Sequence, residues 1–263
     1  MPEAFYLPDG ERFTSTELTR GPWDPGHQHA GPPAALLARE LERCERRDEA
    51  RIARMTCEIL RAVPIAPLSA TARVVRGGRS VELLEGELRD ERGPVLRARA
   101  WRLRTQALDL PAPADAPAPL PGPDQGADLG FFPAGQEVGY HTAMESRFLR
   151  GAFTEPGPAT VWMRMRRPLV AGEDPSPLQR VLTAADSGNG VSAALDWQAW
   201  TFVNVDLTVV LHRPPAGEWI ALDAVTLPQP DGTGLADATL HDEAGPIGRG
   251  LQTLLVSPRG ESA

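Results

Sequence analysis

Two stretches of the chain are apolar and β-branched for most of their length and end in a proline turn: MTCEILRAVP (Met55–Pro64) and VDLTVVLHRP (Val205–Pro214). Short apolar runs closed by turn residues predict largely buried strands. Two further strands are predicted after each run, at about 69–77 and 80–89 in the first case and 218–227 and 234–241 in the second. A hairpin then closes each set. LRDERGPVLRARAW (Leu88–Trp101) reappears as LHDEAGPIGRGLQT (Leu240–Thr253), displaced by 152 positions, and its Asp-Glu-x-Gly-Pro core suits a tight β connection.

A helix is predicted ahead of each set of strands. In GPPAALLARELERC the positions Ala34, Leu37, Ala38, Leu41 and Cys44 form one apolar stripe, with Pro32 and Pro33 in the first turn where a missing N–H costs nothing. In SPLQRVLTAAD the stripe is Leu178, Val181, Leu182 and Ala185, and Ser176 and Gln179 have capping-box spacing. YHTAMESRFLRGAF and ATVWMRMRRPLV predict the entering strands of the second set. Strands hairpinned around one apolar helix, written twice, predict an α+β protein built as an internal pseudo-dimer. The division is 1–107 for the first unit, 108–130 for a stiff Pro/Ala-rich linker, and 131–263 for the second unit.

Composition narrows the class. Hydrophobic and charged contents of 41% and 24% are globular values, and a net charge of −8 argues against nucleic acid as a partner. Cys44 and Cys57 stand in no metal or redox spacing, and no apolar stretch is long enough to span a membrane, so a cytoplasmic protein is expected.

Four segments carry a family resemblance: GPWDPGHQHAGPPAALLA, PLQRVLTAADSGNG, DLTVVLHRPPAGEWIALDAVT and GRGLQTLLV. With the element order above they resemble the TesB-like acyl-CoA thioesterases in their tandem double-hotdog form, in the branch common among high-GC, actinobacterial-type genomes. The resemblance implies two antiparallel sheets, each wrapped around a helix. It also implies an acyl-CoA substrate hydrolysed between the units without metal or other cofactor, and a homodimer. The family's triad is an Asp on the second helix, a Thr or Ser on the next strand and a Gln on the last strand. Carried over, the Asp is Asp186 and the Gln is Gln252, whereas the hydroxyl position holds Asn204, a departure.

The residues support the same trio in part. Asp186 lies four residues after Leu182, close to the buried face, where an unpaired carboxylate would be costly; the plain alternative is an Asp that stops the helix and starts DSGNG. Gln252 stands opposite Ala100 in the repeat, so one strand position is polar in one copy and apolar in the other, and Asn204 is set opposite Arg54. Asp186 would serve as general base, its efficiency rising if burial brings its pKa toward neutrality. Asn204 and Gln252 would accept from the water, or their amides would hold the Asp. Oxyanion donors would come from HAGPP or SGNG, which makes His29, Gly31 and Gly188 candidate substrate-binding positions.

Other chemistry fits less well. His27 and His29 form an H-x-H pair without a third ligand, and Ser187 and Ser192 lack a nucleophile elbow. RARAWRLR is a solvated sheet face or a contact for CoA phosphates. Two alternatives stay open: an enoyl-CoA hydratase, disfavoured because Val191 stands where that motif needs His, and a non-catalytic acyl-CoA or lipid binder, which Asn204 favours.

Overall fold

The computed structural model describes residues 2–111, 118–130 and 135–260. The first copy comprises β1 (Tyr6–Asp9), β2 (Arg12–Ser15), α1 (Gly31–Arg43), β3 (Ala50–Ile59), β4 (Pro67–Arg76), β5 (Val81–Asp90) and β6 (Gly93–Arg104). The second comprises α2 (Tyr140–Ala143), β7 (Met144–Ala152), β8 (Glu155–Met165), α3 (Pro177–Ala185), α4 (Gly188–Val191), β9 (Trp200–Asn204), β10 (Asp206–Leu211), β11 (Ile220–Pro228), β12 (Thr233–Asp242) and β13 (Gly245–Pro258). Residues 112–117 of the predicted linker lie outside the described residues. Beyond them the linker region packs on the second copy: Trp162 donates to the Pro121 carbonyl, and Ala127 bridges Phe148.

The strands form one antiparallel sheet in the order β1-β2-β4-β5-β6-β3-β10-β13-β12-β11-β8-β7, with β9 also on β13. The order reads the same from either side of the β3–β10 seam, β2-β4-β5-β6-β3 answering β8-β11-β12-β13-β10. At the seam Thr208 faces Thr56, and the two hydroxyls hydrogen-bond at 3.0 Å across a separation of 152 residues. The repeat therefore pairs with itself about a pseudo-twofold axis, and the fold is a double hotdog. α1 and α3 are the two wrapped helices. Ala34, Leu37, Ala38 and Leu41 of the α1 stripe are all buried, as are the four positions of the α3 stripe. Ser176 caps α3 through the Gln179 N–H, but the Gln179 amide donates to Glu42 of α1, so the reciprocal half of the predicted box is used between helices instead.

The two copies of the hairpin share the same clamp. Asp90 at the end of β5 accepts from the Arg61 guanidinium and from the N–H groups of Arg92 and Gly93. Asp242 at the end of β12 accepts from Arg213 and from the N–H groups of Ala216 and Ala244. Each turn closes on a glycine in the left-handed region, Gly93 at φ 127° and Gly245 at φ 123°, which only a residue without Cβ adopts cheaply. The Arg61 guanidinium holds the Asp90 carboxyl well down, to about 2.

RARAWRLR proves to be a sheet face with a salt ladder: Arg97 pairs with Glu87 and Arg99 with Glu85, while Arg102 is buried against Glu82.

Candidate active site

Asp186 ends α3 and points into the gap between α3 and the start of α1. The helix stripe carries it there: Leu182 and Ala185 are buried, and Asp186 follows on the same face with a side chain only 3% exposed. Such a carboxylate needs donors, and four surround it. Asn204 Nδ2 donates to Oδ1 at 2.8 Å, and Gln252 Nε2 reaches Oδ1 at 3.3 Å and the Asp186 carbonyl at 3.0 Å. His29 Nδ1 lies 2.9 Å from Oδ2. The Gly31 N–H at the start of α1 completes the set. That N–H also lies 3.2 Å from His29 Nδ1, but a nitrogen donating to a carboxylate has no lone pair left to accept, so the carboxylate takes it.

Burial alone raises the Asp186 carboxyl. The charge and hydrogen bond of His29, the Asn204 amide and the Gly31 N–H outweigh it, and the group sits below the ordinary aspartate value. The expected drift toward neutrality is thus reversed, because the sequence could not show the donors that gather there.

Each partner is itself fixed. His29 stacks on Tyr140 of α2 with ring centroids 3.7 Å apart and planes 3° from parallel. Tyr140 donates to the Thr183 carbonyl at 2.7 Å, with its oxygen 2.9 Å from Ser187 Oγ. Gln252 Oε1 accepts from the Asn189 N–H at 2.9 Å. Asn204 also donates to the Asp206 carbonyl at 3.1 Å. Of the two roles open to the Asn204 and Gln252 amides, both therefore use their N–H groups to hold the acid.

Asp186, Asn204 and His29 line a cavity of about 410 Å³, whereas Gln252 sits behind the acid. Gly31 and Gly188 stand behind it too. A Cβ on Gly31 would come within 2.5 Å of the Thr183 carbonyl, so its bareness lets the two helices touch; one on Gly188 would meet Gln252 Oε1 at 2.9 Å. His27 turns to Asp24 while His29 turns to Asp186, so the H-x-H pair diverges. The rest of the wall is largely apolar, with Val63, Phe153, Trp197 and Phe202, and is interrupted by Arg61 and Arg259. Trp23 meets Phe202 edge-on at 5.2 Å, and the Arg259 guanidinium lies over Trp23 and Trp197.

Strand register corrects one sequence equivalence. Leu254 pairs with Asn204 as Arg102 pairs with Ile52, so Asn204 corresponds to Ile52 of the first copy and not to Arg54. The irregularity between Ile52 and Arg54 in β3 matches the break at Val205 between β9 and β10, so the 152-residue offset holds on both sides of it; setting Pro64 against Pro214 suggests an offset of 150. Gln252 does correspond to Ala100, since Met55 pairs with Ala100 and Leu207 lies at the matching place in β10. Asn204 thus stands where the first copy has a buried isoleucine, Ile52.

Sequence reasoning missed Tyr140, Asn189 and the aromatic walls. Tyr140 is one of only two tyrosines, on a helix too short to show a period. It also missed Glu42, at the end of α1, which accepts from Ser176 and Gln179 at the start of α3 much as Asp186 accepts at the start of α1. Burial raises the Glu42 carboxyl, and the two helices hold one another's ends by acid contacts of opposite fate.

The fold is thus a double hotdog with a buried acid in the wall of a largely apolar cavity. Residues 19–103 match the acyl-CoA thioesterase N-terminal domain and residues 114–256 the acyl-CoA thioesterase C-terminal domain. The chain belongs to the acyl-CoA thioesterase family and is a thioesterase.

Solved structures share the fold. A Thermobifida fusca protein provisionally named a thioesterase II superposes with TM-score 0.76 at 17% identity, covering 96% of this chain and 95% of that one. A hot dog fold protein from Alicyclobacillus acidocaldarius gives 0.73 at 15% identity over 98% and 96%. The acyl-CoA thioesterase II TesB2 of Mycobacterium marinum gives 0.66 at 14% identity over 96% and 95%. No curated protein matches the sequence. Among the described residues no helix is long and apolar enough to cross a membrane.

Proposed function

We propose that this chain hydrolyses an acyl-CoA thioester with a water activated through Asp186. The observation that carries the reading is the placement of an anionic, nearly buried carboxylate in the wall of a largely apolar cavity. The acyl group lies among Phe153, Trp197 and Phe202, and burying it excludes bulk water from the reacting carbon. Asn204 spends its N–H groups on Asp186 and the Asp206 carbonyl, which leaves its side-chain carbonyl to accept from the attacking water. In this way it replaces the family's hydroxyl as a water-positioning group. Gln252 keeps the acid and the α4 turn in register.

Free-thiol release from short, medium, long-chain and aromatic acyl-CoAs tests the reading. Turnover is expected, with long chains poorest, since about 410 Å³ lies toward the small end of ligand cavities of ~300–1,000 Å³. Absence of release from every acyl-CoA, with a non-hydrolysable thioether analogue still bound, would overturn it.

The same reading includes a homodimer, supported by Leu235, Leu251 and Leu255 exposed along the outer face of β12 and β13. Light scattering should then give roughly twice the chain mass of 28.4 kDa; a single-chain mass would remove this part alone.

A further inference from the structure

We propose that His29 Nε2, not Asp186 itself, takes the proton from the attacking water, with Asp186 as the positioning partner of the imidazole. The inference rests on the hydrolase reading above and deepens it.

The argument begins with what the carboxylate has left to give. An ionised carboxylate offers about four lone-pair sites. Here Oδ1 faces Asn204 Nδ2 and Gln252 Nε2, and Oδ2 faces His29 Nδ1, with the Gly31 N–H as the fourth donor. Although Asp186 lines the cavity, its side chain is only 3% exposed and its acceptor sites are taken by these donors, so an attacking water finds no free acceptor on it. His29 is different. Its ring is pinned flat on Tyr140, its Nδ1 is committed to Asp186, and it lines the cavity beside Asn204. Among the described residues Nε2 has no protein partner. An imidazole whose Nδ1 proton is held by a carboxylate carries its acceptor lone pair on Nε2. The anion behind it stabilises the imidazolium that forms, a division of labour that needs no free oxygen on the acid.

The step balances without a further reactant. The water oxygen bonds to the thioester carbonyl carbon while its proton passes to His29 Nε2 and the carbonyl π pair moves onto oxygen. On collapse the C–S bond breaks, and sulfur leaves with the pair. It takes the proton from Nε2, giving the CoA thiol and the free acid. Charged and titratable groups around His29 are Asp186 from α3, Tyr140 from α2, Arg61 and Arg259 across the cavity, and His27 and Asp24 in its own loop.

His29→Asn is the informative variant, because its amide N–H can replace Nδ1 toward Asp186 while nothing replaces Nε2. Expected is a fall in kcat of about 10²–10⁴-fold with KM little changed. The acid limb of the wild-type kcat profile should vanish, and added imidazole should restore turnover in His29→Gly. Near-wild-type kcat in His29→Asn, or an acid limb that persists in it, would overturn the assignment while leaving the hydrolase reading intact. Loss of thiol release by the wild type would strike the reading instead. If the variants do not fold, acylation of wild-type histidines with diethyl pyrocarbonate, mapped by mass spectrometry, decides. Activity lost in step with His29 modification and protected by the thioether analogue supports the role. Full activity with His29 modified rejects it.

Discussion

Asp186→Asn should lower kcat for thioester hydrolysis by about 10²–10⁴-fold while the protein remains folded. The substitution keeps the shape of the side chain and removes its charge. Four donors now converge on that position, and an amide can accept from only some of them, so one N–H must face another. The His29 ring loses the anion that fixes its Nδ1 proton and stabilises its charged form. Thiol release on the acyl-CoA that the wild type turns over best reads the effect. Turnover preserved within a few-fold would discard Asp186 as the source of the site's basicity.

The same variant has a second signature in acid. The Asp186 carboxyl is held below its ordinary value, so the folded state binds its proton less readily than the unfolded state does. Its stabilising contribution is complete above the unfolded value, about 4, and drains away as pH falls through the lower folded value. Melting temperatures of wild type and Asp186→Asn should therefore converge as the buffer is taken down from about pH 4. A gap that widens on acidification would contradict the direction of the shift.

Gly31→Ala should cost both stability and activity. The added Cβ would sit 2.5 Å from the Thr183 carbonyl, and the neighbour is backbone of α3, which cannot rotate away. Either α1 or α3 must move, at a cost of about 1–3 kcal/mol. For a domain of this size that lowers the melting point by several degrees, at about 2–4 °C per kcal/mol. Because Asp186 ends α3 and His29 precedes α1, the displacement separates the pair, and thiol release falls with it. Gly77→Ala, where nothing lies within 4 Å, is the control and should melt like the wild type. A Gly31→Ala protein with unchanged melting and turnover would mean that the helices tolerate a wider gap.

The repeat, the two helices and the acid were legible because each rests on local pattern. The α1 stripe and the Asp-Glu-x-Gly-Pro turns need only neighbours in sequence to be recognised. Asn204 was placed two residues out because the prolines that end the two runs, Pro64 and Pro214, are 150 apart while the paired strands keep an offset of 152, which only the ladder register reveals. His29 was visible as a loop residue, but its bond to Asp186 joins positions far apart in the chain. Tyr140 was invisible for the same reason. The direction of the Asp186 shift depends on counting donors from four segments, which no local pattern supplies.

The seam between β3 and β10 has an implication for the history of the chain. His29 comes from the first copy, and Asp186, Asn204 and Gln252 come from the second. Neither half holds the whole proposed set, and each alone would present an unpaired seam strand, β3 or β10, as a raw sheet edge. If the proposed roles of these residues hold, the chain cannot be divided without losing its chemistry. The fusion has become a one-way step, and the tether between the copies now guarantees that complementary halves are made in equal number.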